Sequence, residues 1–221
     1  MSRAGFALHG EMTLRALARR RLALAILVAL PVALYAVSHD STGQAVRALL
    51  FGVSWAVSTV TFFATVASRQ LEPRLRLAGL SARLLAGARI GALLLLALSL
   101  AVAFSVLVAL DLPVRSPVAV ALDFAVTAAV AVAFGTAVGT VISAEMEGAL
   151  ILFFFAGLQA VVNPFDGYAK LLPFWASREL GTYAIDGPGQ GSLGWGLIHA
   201  TAAITLCAVA VVVTSRSYRS Q

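Results

Sequence analysis

The residues able to act on a substrate or an ion are few, and they lie in apolar surroundings. Ser54, Ser58, Thr61 and Thr65 recur at i, i+4, i+7 and i+11, with Thr59 off the stripe. That spacing puts four hydroxyls on one face of a helix. One reading is the mildly polar wall of a substrate path. The other is helix-on-helix packing by small residues, with the hydroxyls bonded to backbone carbonyls. Gln159 and Asn163 close a later apolar run and place polar amides in a similar setting. Gly135 and Gly139 form G-x-x-x-G, a spacing suited to close helix packing.

Ionisable residues inside apolar runs mark ion-coupled transport, and here they are scarce. Asp123 is placed near one end of its run and His199 near the start of another, positions that suit packing or interfacial hydration. No Walker A pattern occurs, and the single Lys is Lys170. The chain is therefore not expected to hydrolyse ATP with a P-loop of its own. Neither H-E-x-x-H nor G-x-S-x-G occurs. His9, His39 and His199 lie far apart, and Cys207 is the only cysteine, so no metal site or internal disulfide is expected.

The elements that must position these residues are hydrophobic. The chain has 221 residues, 60% hydrophobic and only 12% charged. Soluble domains average about 25% charged residues, so lipid must be the solvent for much of this surface. The net charge of +6 resides in arginines beside apolar runs, where topology and lipid head groups explain it better than nucleic acid does. About 20 apolar residues cross a bilayer core. The hydropathy pattern predicts an all-α fold with six spans, at about 21–38, 45–67, 88–110, 118–143, 148–163 and 195–213. Arg19, Arg20 and Arg21 before the first run resemble a signal peptide, but no small-residue cleavage site follows. The first run is read as a retained helix.

Orientation follows from Lys and Arg. Arg3, Arg15, Arg19, Arg20, Arg21, Arg69, Arg74, Arg76, Arg83, Arg89, Arg216 and Arg219 fall on one side, and Arg47, Arg115, Lys170 and Arg178 on the other. The more basic side is expected to be cytoplasmic, with both termini on it. Residues 3–20 read as an amphipathic helix lying along that face. Residues 68–89 are too charged to span and too apolar for a solvated linker. Pro73 can start a helical turn there, while Gly79–Ser81 can break one helix and cap the next. This surface suits either a cytoplasmic partner or lipid head groups. Glu145 and Glu147, in a short cytoplasmic turn, can favour the next helix N-terminus or pair with Arg83 or Arg89. On the outer side, 164–194 interleaves aromatic, apolar and charged residues and predicts a short re-entrant element around Leu171–Trp175.

With these pieces in order, the layout resembles the membrane subunits of ABC-2-type exporters. The resemblance lies in the basic N-terminal helix, the six spans and the stretches RLRLAGLSARLLAGARIGALLLLAL, GTAVGTVISAEMEGALILFFFAGLQ and LPFWASRELGTYA. It implies a permease that forms a substrate path as a dimer, with a second copy or a related permease, in a bacterial inner membrane. The partner would be a separate cytoplasmic P-loop ATPase carrying ATP and Mg, with no cofactor in this chain. Residues 3–20 would be the connecting helix, and 69–86 the segment coupling to the ATPase. Ser54, Ser58, Thr61, Thr65, Gln159 and Asn163 would border the path. Arg15, Arg19, Arg74, Arg76, Arg83, Glu145 and Glu147 would serve ATPase coupling. Two alternatives stay open: a haem-exporter-like permease of cytochrome c maturation, and a membrane scaffold that transports nothing.

Overall fold

The computed structural model describes residues 10–15, 18–19, 21–77, 79–162 and 166–217, and among them there is no strand. A helical stretch over 10–15 is followed by α1 (Arg21–Val37), α2 (Thr42–Leu77), α3 (Ala82–Asp111), α4 (Pro117–Val141) and α5 (Glu145–Val161). A single 3-10 turn (Gly167–Leu171) leads to α6 (Trp175–Asp186) and α7 (Leu193–Ser217). The all-helical expectation agrees with this architecture.

Four of these helices carry segments long and apolar enough to cross a membrane: Thr42–Arg69, Ala82–Asp111, Pro117–Val141 and Leu193–Ser215. α1 and α5 have 17 residues each. At 1.5 Å per residue they measure about 26 Å, short of the roughly 30 Å hydrocarbon core.

The helix ends follow from local chemistry. Ser81 caps α3 by accepting from the Leu84 amide at 3.3 Å, and Ser116 caps α4 by accepting from Ala119 at 3.3 Å. Pro117 then occupies the first turn, where its missing N–H costs nothing. Gly79, at φ +86°, makes the turn between α2 and α3 in a backbone region closed to most side chains. The expected break at Gly79–Ser81 is thus present. Pro73 does not start a helix, because α2 runs through that position to Leu77. At 36 residues α2 is about 54 Å long, so it extends well past any bilayer core.

α4 is the centre of the bundle. It packs on α2, α3, α6 and α7, while α1 and α5 lean on α2. Its sequence is apolar on every side, as a helix surrounded by protein requires. The closest approach is between α4 and α2. A Cβ at Gly135 would collide with the Ser58 carbonyl oxygen, and one at Gly139 would lie 2.8 Å from Thr65 Cβ. The pairings 135 with 58 and 139 with 65 rise together, so the two helices run parallel, joined through the returning α3. Phe62, Phe124, Leu49 and Val130 are fully buried around this contact. The apolar faces of α3 (Leu95, Val102, Val106, Leu110) and α7 (Ile198, Leu206, Val209, Val213) stay exposed, as lipid-facing surfaces do.

Gly135→Ala is expected to lower stability by about 1–3 kcal/mol, the usual cost of overpacking a tight core. Nothing lies within 4 Å of a Cβ at Gly157, so Gly157→Ala, inside α5, should be neutral or stabilising by up to about 1 kcal/mol. Thermal unfolding of the two purified variants in detergent checks both.

Candidate functional site

Two regions gather the polar residues, one at each end of the bundle. The first end holds the start of α2, the α3–α4 turn and the 166–192 segment. The second holds the α2–α3 hairpin, the α4–α5 turn and the 10–15 stretch, whose Gly10 would bring a Cβ within 3.6 Å of the Ala88 carbonyl oxygen.

At the first end, α6 is set into the bundle between α4 and α7. Its buried face is Trp175, Ala176, Leu180, Gly181 and Ala184. Gly196 of α7 lets Leu180 and the Ala176 carbonyl approach closely. The beginning of α6 lies deepest. Ser177 sits beside Asp123, six residues into α4 and hence about 9 Å from its first residue. Phe174 reaches further down and meets Phe134 edge-on at 5.9 Å. From there α6 climbs outward until the Ala184 carbonyl accepts from the Ser116 amide at 3.2 Å. Gly187, at φ +97°, then ends the helix.

This inset leaves a partly open cavity of about 340 Å³, lined by residues of α1, α2, α5 and α6. Its polar lining is Arg47, Ser54, Gln159, Ser177 and Arg178, and its apolar lining includes Leu34, Leu50, Phe51 and Phe174. Arg47 faces Asp186 at 3.5 Å. Arg178 donates to the Val162 carbonyl at 3.4 Å. Burial, and then the like charge of Arg47, lower the Arg178 pKa from its ordinary value, with Glu179 opposing them.

The hydroxyl stripe divides. Ser54 borders the cavity and donates to the Phe51 carbonyl at 2.7 Å. Ser58 and Thr65 lie beneath the α4 glycines and donate to the carbonyls of Ser54 and Thr61 at 2.7 and 2.8 Å. Thr61 turns to a crevice of about 10 Å³ between α1, α2 and α3, room for about one water. Ser58 and Thr65 thus pack against α4, while Ser54 and Thr61 face separate spaces. Gln159 joins Ser54 at the cavity, and its buried Oε1 has no hydrogen-bond partner among the described residues. Asn163 lies outside the described residues.

Sequence reasoning placed Arg47 and Arg178 on the outer side but did not bring them together. Their juxtaposition depends on how far α6 is inset, which no local pattern encodes. Asp123 is buried, as a packing residue would be. Thr127 donates to its Oδ1 at 3.2 Å, while Oδ2 presses on Gly181 without a donor among the described residues. His199 bonds the Lys170 carbonyl at 2.9 Å and meets Trp175 edge-on at 5.1 Å, tying α7 to the segment that enters α6.

At the second end, Arg74 and Arg83 are exposed on the α2–α3 hairpin, and Glu145 and Glu147 are exposed in the first turn of α5. Arg15 pairs with Glu11 at 2.5 Å, and Arg19 is exposed. The side chain of Arg76 lies outside the described residues, as do residues 3–9, 16, 17 and 20 of the expected N-terminal helix. Neither glutamate forms an ion pair with Arg83 or Arg89 among the described residues. Arg89 instead pairs with Glu72 at 3.1 Å and donates to Ser68. It is one of the few buried charges, at 7% exposure. The bond joins the extension of α2 to the first two turns of α3 and so fixes the hairpin against the bundle.

No family model matches the chain, and comparison with curated proteins and with solved structures returned no match.

Removing the partner of a buried cation leaves its desolvation uncompensated. Glu72→Ala is expected to cost about 1.5–3 kcal/mol, the range for a hydrogen bond to a charged group. It should also make the chain more sensitive to limited proteolysis around 78–81. Thermal unfolding and mapping of the cleavage site check the two effects.

Proposed function

We propose that the chain is the membrane-spanning permease subunit of an ATP-driven exporter of the ABC-2 type. The observation that carries this reading is the α2–α3 hairpin. At about 54 Å, α2 runs far past a hydrocarbon core of roughly 30 Å before the turn at Gly79. Arg74 and Arg83 are exposed on this hairpin, and the Arg89–Glu72 pair holds it rigidly to α3. A stiff basic projection linked to the spans suits the transfer of force from a soluble partner. A segment merely resting on head groups would not need a buried ion pair to fix it.

In this reading α1 and α5 also cross, giving six spans. The few ångströms they lack are met by local thinning of the bilayer or by flanking residues. The basic hairpin and both termini face the cytoplasm of a bacterial inner membrane, following the arginine asymmetry. The inset α6 dips into the outer leaflet. Two copies, or this chain and a related permease, enclose the path, each docked to a cytoplasmic P-loop ATPase that carries ATP and Mg. Closure of the ATPases pushes on the hairpin and the N-terminal helix. Because α2 is continuous from Thr42 to Leu77, it passes that push to the residues at the outer cavity.

Affinity purification from cells at native expression is expected to recover a P-loop ATPase in stoichiometric amount. Recovery of the chain without one would count against the proposal. Within that complex, Arg74→Glu with Arg83→Glu should reduce ATPase activity about tenfold or more while leaving the melting temperature within a few degrees. The tenfold figure corresponds to about 1.4 kcal/mol of lost coupling. Unchanged hydrolysis would mean that the hairpin touches only lipid.

A further inference from the structure

The outer cavity sets two cations into a largely apolar wall. Arg47 lies five residues into α2, and Ser54 seven residues further along, about 10 Å deeper. Arg178 stands in the first turn of α6, with Leu34, Phe51 and Phe174 also lining the cavity.

The charges around it do not balance at Arg178. All ten acidic residues of the chain are among the described residues. Asp186 is taken by Arg47 at 3.5 Å, and Glu179 accepts from the Ser192 amide at 3.2 Å. No carboxylate lies within ion-pair distance of Arg178. Its one hydrogen bond among the described residues, to the Val162 carbonyl, is long at 3.4 Å. A guanidinium carries five N–H donors, and among the described residues most of these find no partner although the side chain is half-buried. A half-buried cation next to a second cation is unfavourable until an anion completes the site.

An inorganic anion would satisfy the arginines but leave the apolar lining unused. A molecule with an anionic head and an apolar chain satisfies both. We propose that this cavity binds a phosphate-bearing amphiphile of net negative charge, with its head held by Arg178 and Arg47 and the start of its chain laid along Leu34, Phe51 and Phe174. Guanidinium and phosphate match in a two-pronged geometry. About 340 Å³ is at the low end of small-molecule sites, roughly 300–1,000 Å³. It admits the head and the first part of a chain. The rest of the chain leaves between α1 and α5, which both rest on α2 without extended contact with each other. A membrane phospholipid and a single-chain phosphate amphiphile share this chemistry. The inference does not depend on the transport reading.

Native mass spectrometry of the full chain tests it, using neutral-detergent micelles doped with equal phosphatidylglycerol and phosphatidylcholine. Phosphatidylglycerol should be retained about tenfold over phosphatidylcholine, or dodecyl phosphate should bind where neither lipid is preferred. The first result assigns the site to a two-chain lipid, the second to a single-chain amphiphile, and either upholds the proposal. Arg178→Gln should bring the preference close to parity, and Arg178→Lys, which keeps the charge but loses the two-pronged fit, should keep part of it, which also shows that position 178 tolerates substitution. Lys170→Gln, exposed in the 3-10 turn and outside the cavity, should change nothing. Three results would overturn the proposal: neither lipid preference nor dodecyl phosphate binding, a preference unchanged in Arg178→Gln, or displacement by inorganic phosphate as effective as by dodecyl phosphate.

Discussion

Gly135 and Gly139 of α4 rest directly on the backbone of α2 at Ser58 and on the Thr65 side chain, and the arrangement of the bundle depends on that contact. In lipid there is little hydrophobic drive for helices to associate, so van der Waals contact at close range and interhelical polar bonds must do more of the work. Two small residues one turn apart let the parallel helices approach closely. Once α2 and α4 are fixed, α3 packs along α4, α5 leans on α2, and a slot remains between α4 and α7. α6 fills that slot. The depth at which it comes to rest determines where Phe174, Ser177 and Arg178 stand, and so determines the cavity they line.

The polar side chains inside the bundle divide by depth. Ser54, Ser58, Thr65, Ser105 and Thr140 return their hydroxyls to carbonyls three or four residues back. This satisfies each donor without reaching a neighbouring helix, and leaves the small side chain as packing material. Charges stay near the ends of the bundle. Asp111 bonds Tyr35 and His39 where α1 and α3 finish, and Arg89 bonds Glu72 where α3 begins. Asp123 lies deepest of the acids, sheltered by Thr127 and Ser177 beneath the inset helix.

These two ends give the molecule a mechanical character. The α2 helix spans the whole distance between them, bordering the cavity at Arg47 and Ser54 and carrying the basic hairpin at its far end. The buried pair at Arg89 makes that hairpin a continuation of the bundle rather than a free loop. α2 is thus one continuous helix between the two ends, packed at mid-length against the α4 glycines.

The membrane character, the all-helical fold and the break at Gly79–Ser81 were legible in the sequence, because each rests on local composition or on the chemistry of a single cap. The alternation of apolar runs with arginine-rich flanks needs no tertiary information. The stripe Ser54, Ser58, Thr61, Thr65 was legible as a pattern, but its meaning was not. Spacing places residues on one face of a helix and says nothing of which neighbour covers that face. Only the tertiary structure gave Ser58 and Thr65 to α4, Thr61 to a narrow crevice and Ser54 to a cavity. It alone matched Arg89 with Glu72 instead of with Glu145 or Glu147, since an ion pair depends on which helix ends meet. It also brought Arg47 and Arg178, 131 positions apart by subtraction of their numbers, to one wall. The sequence determined the solvent this protein folds in and the helices it forms. Their packing, set by glycine contacts between distant segments, decided which of its few polar groups face a space that something else could enter.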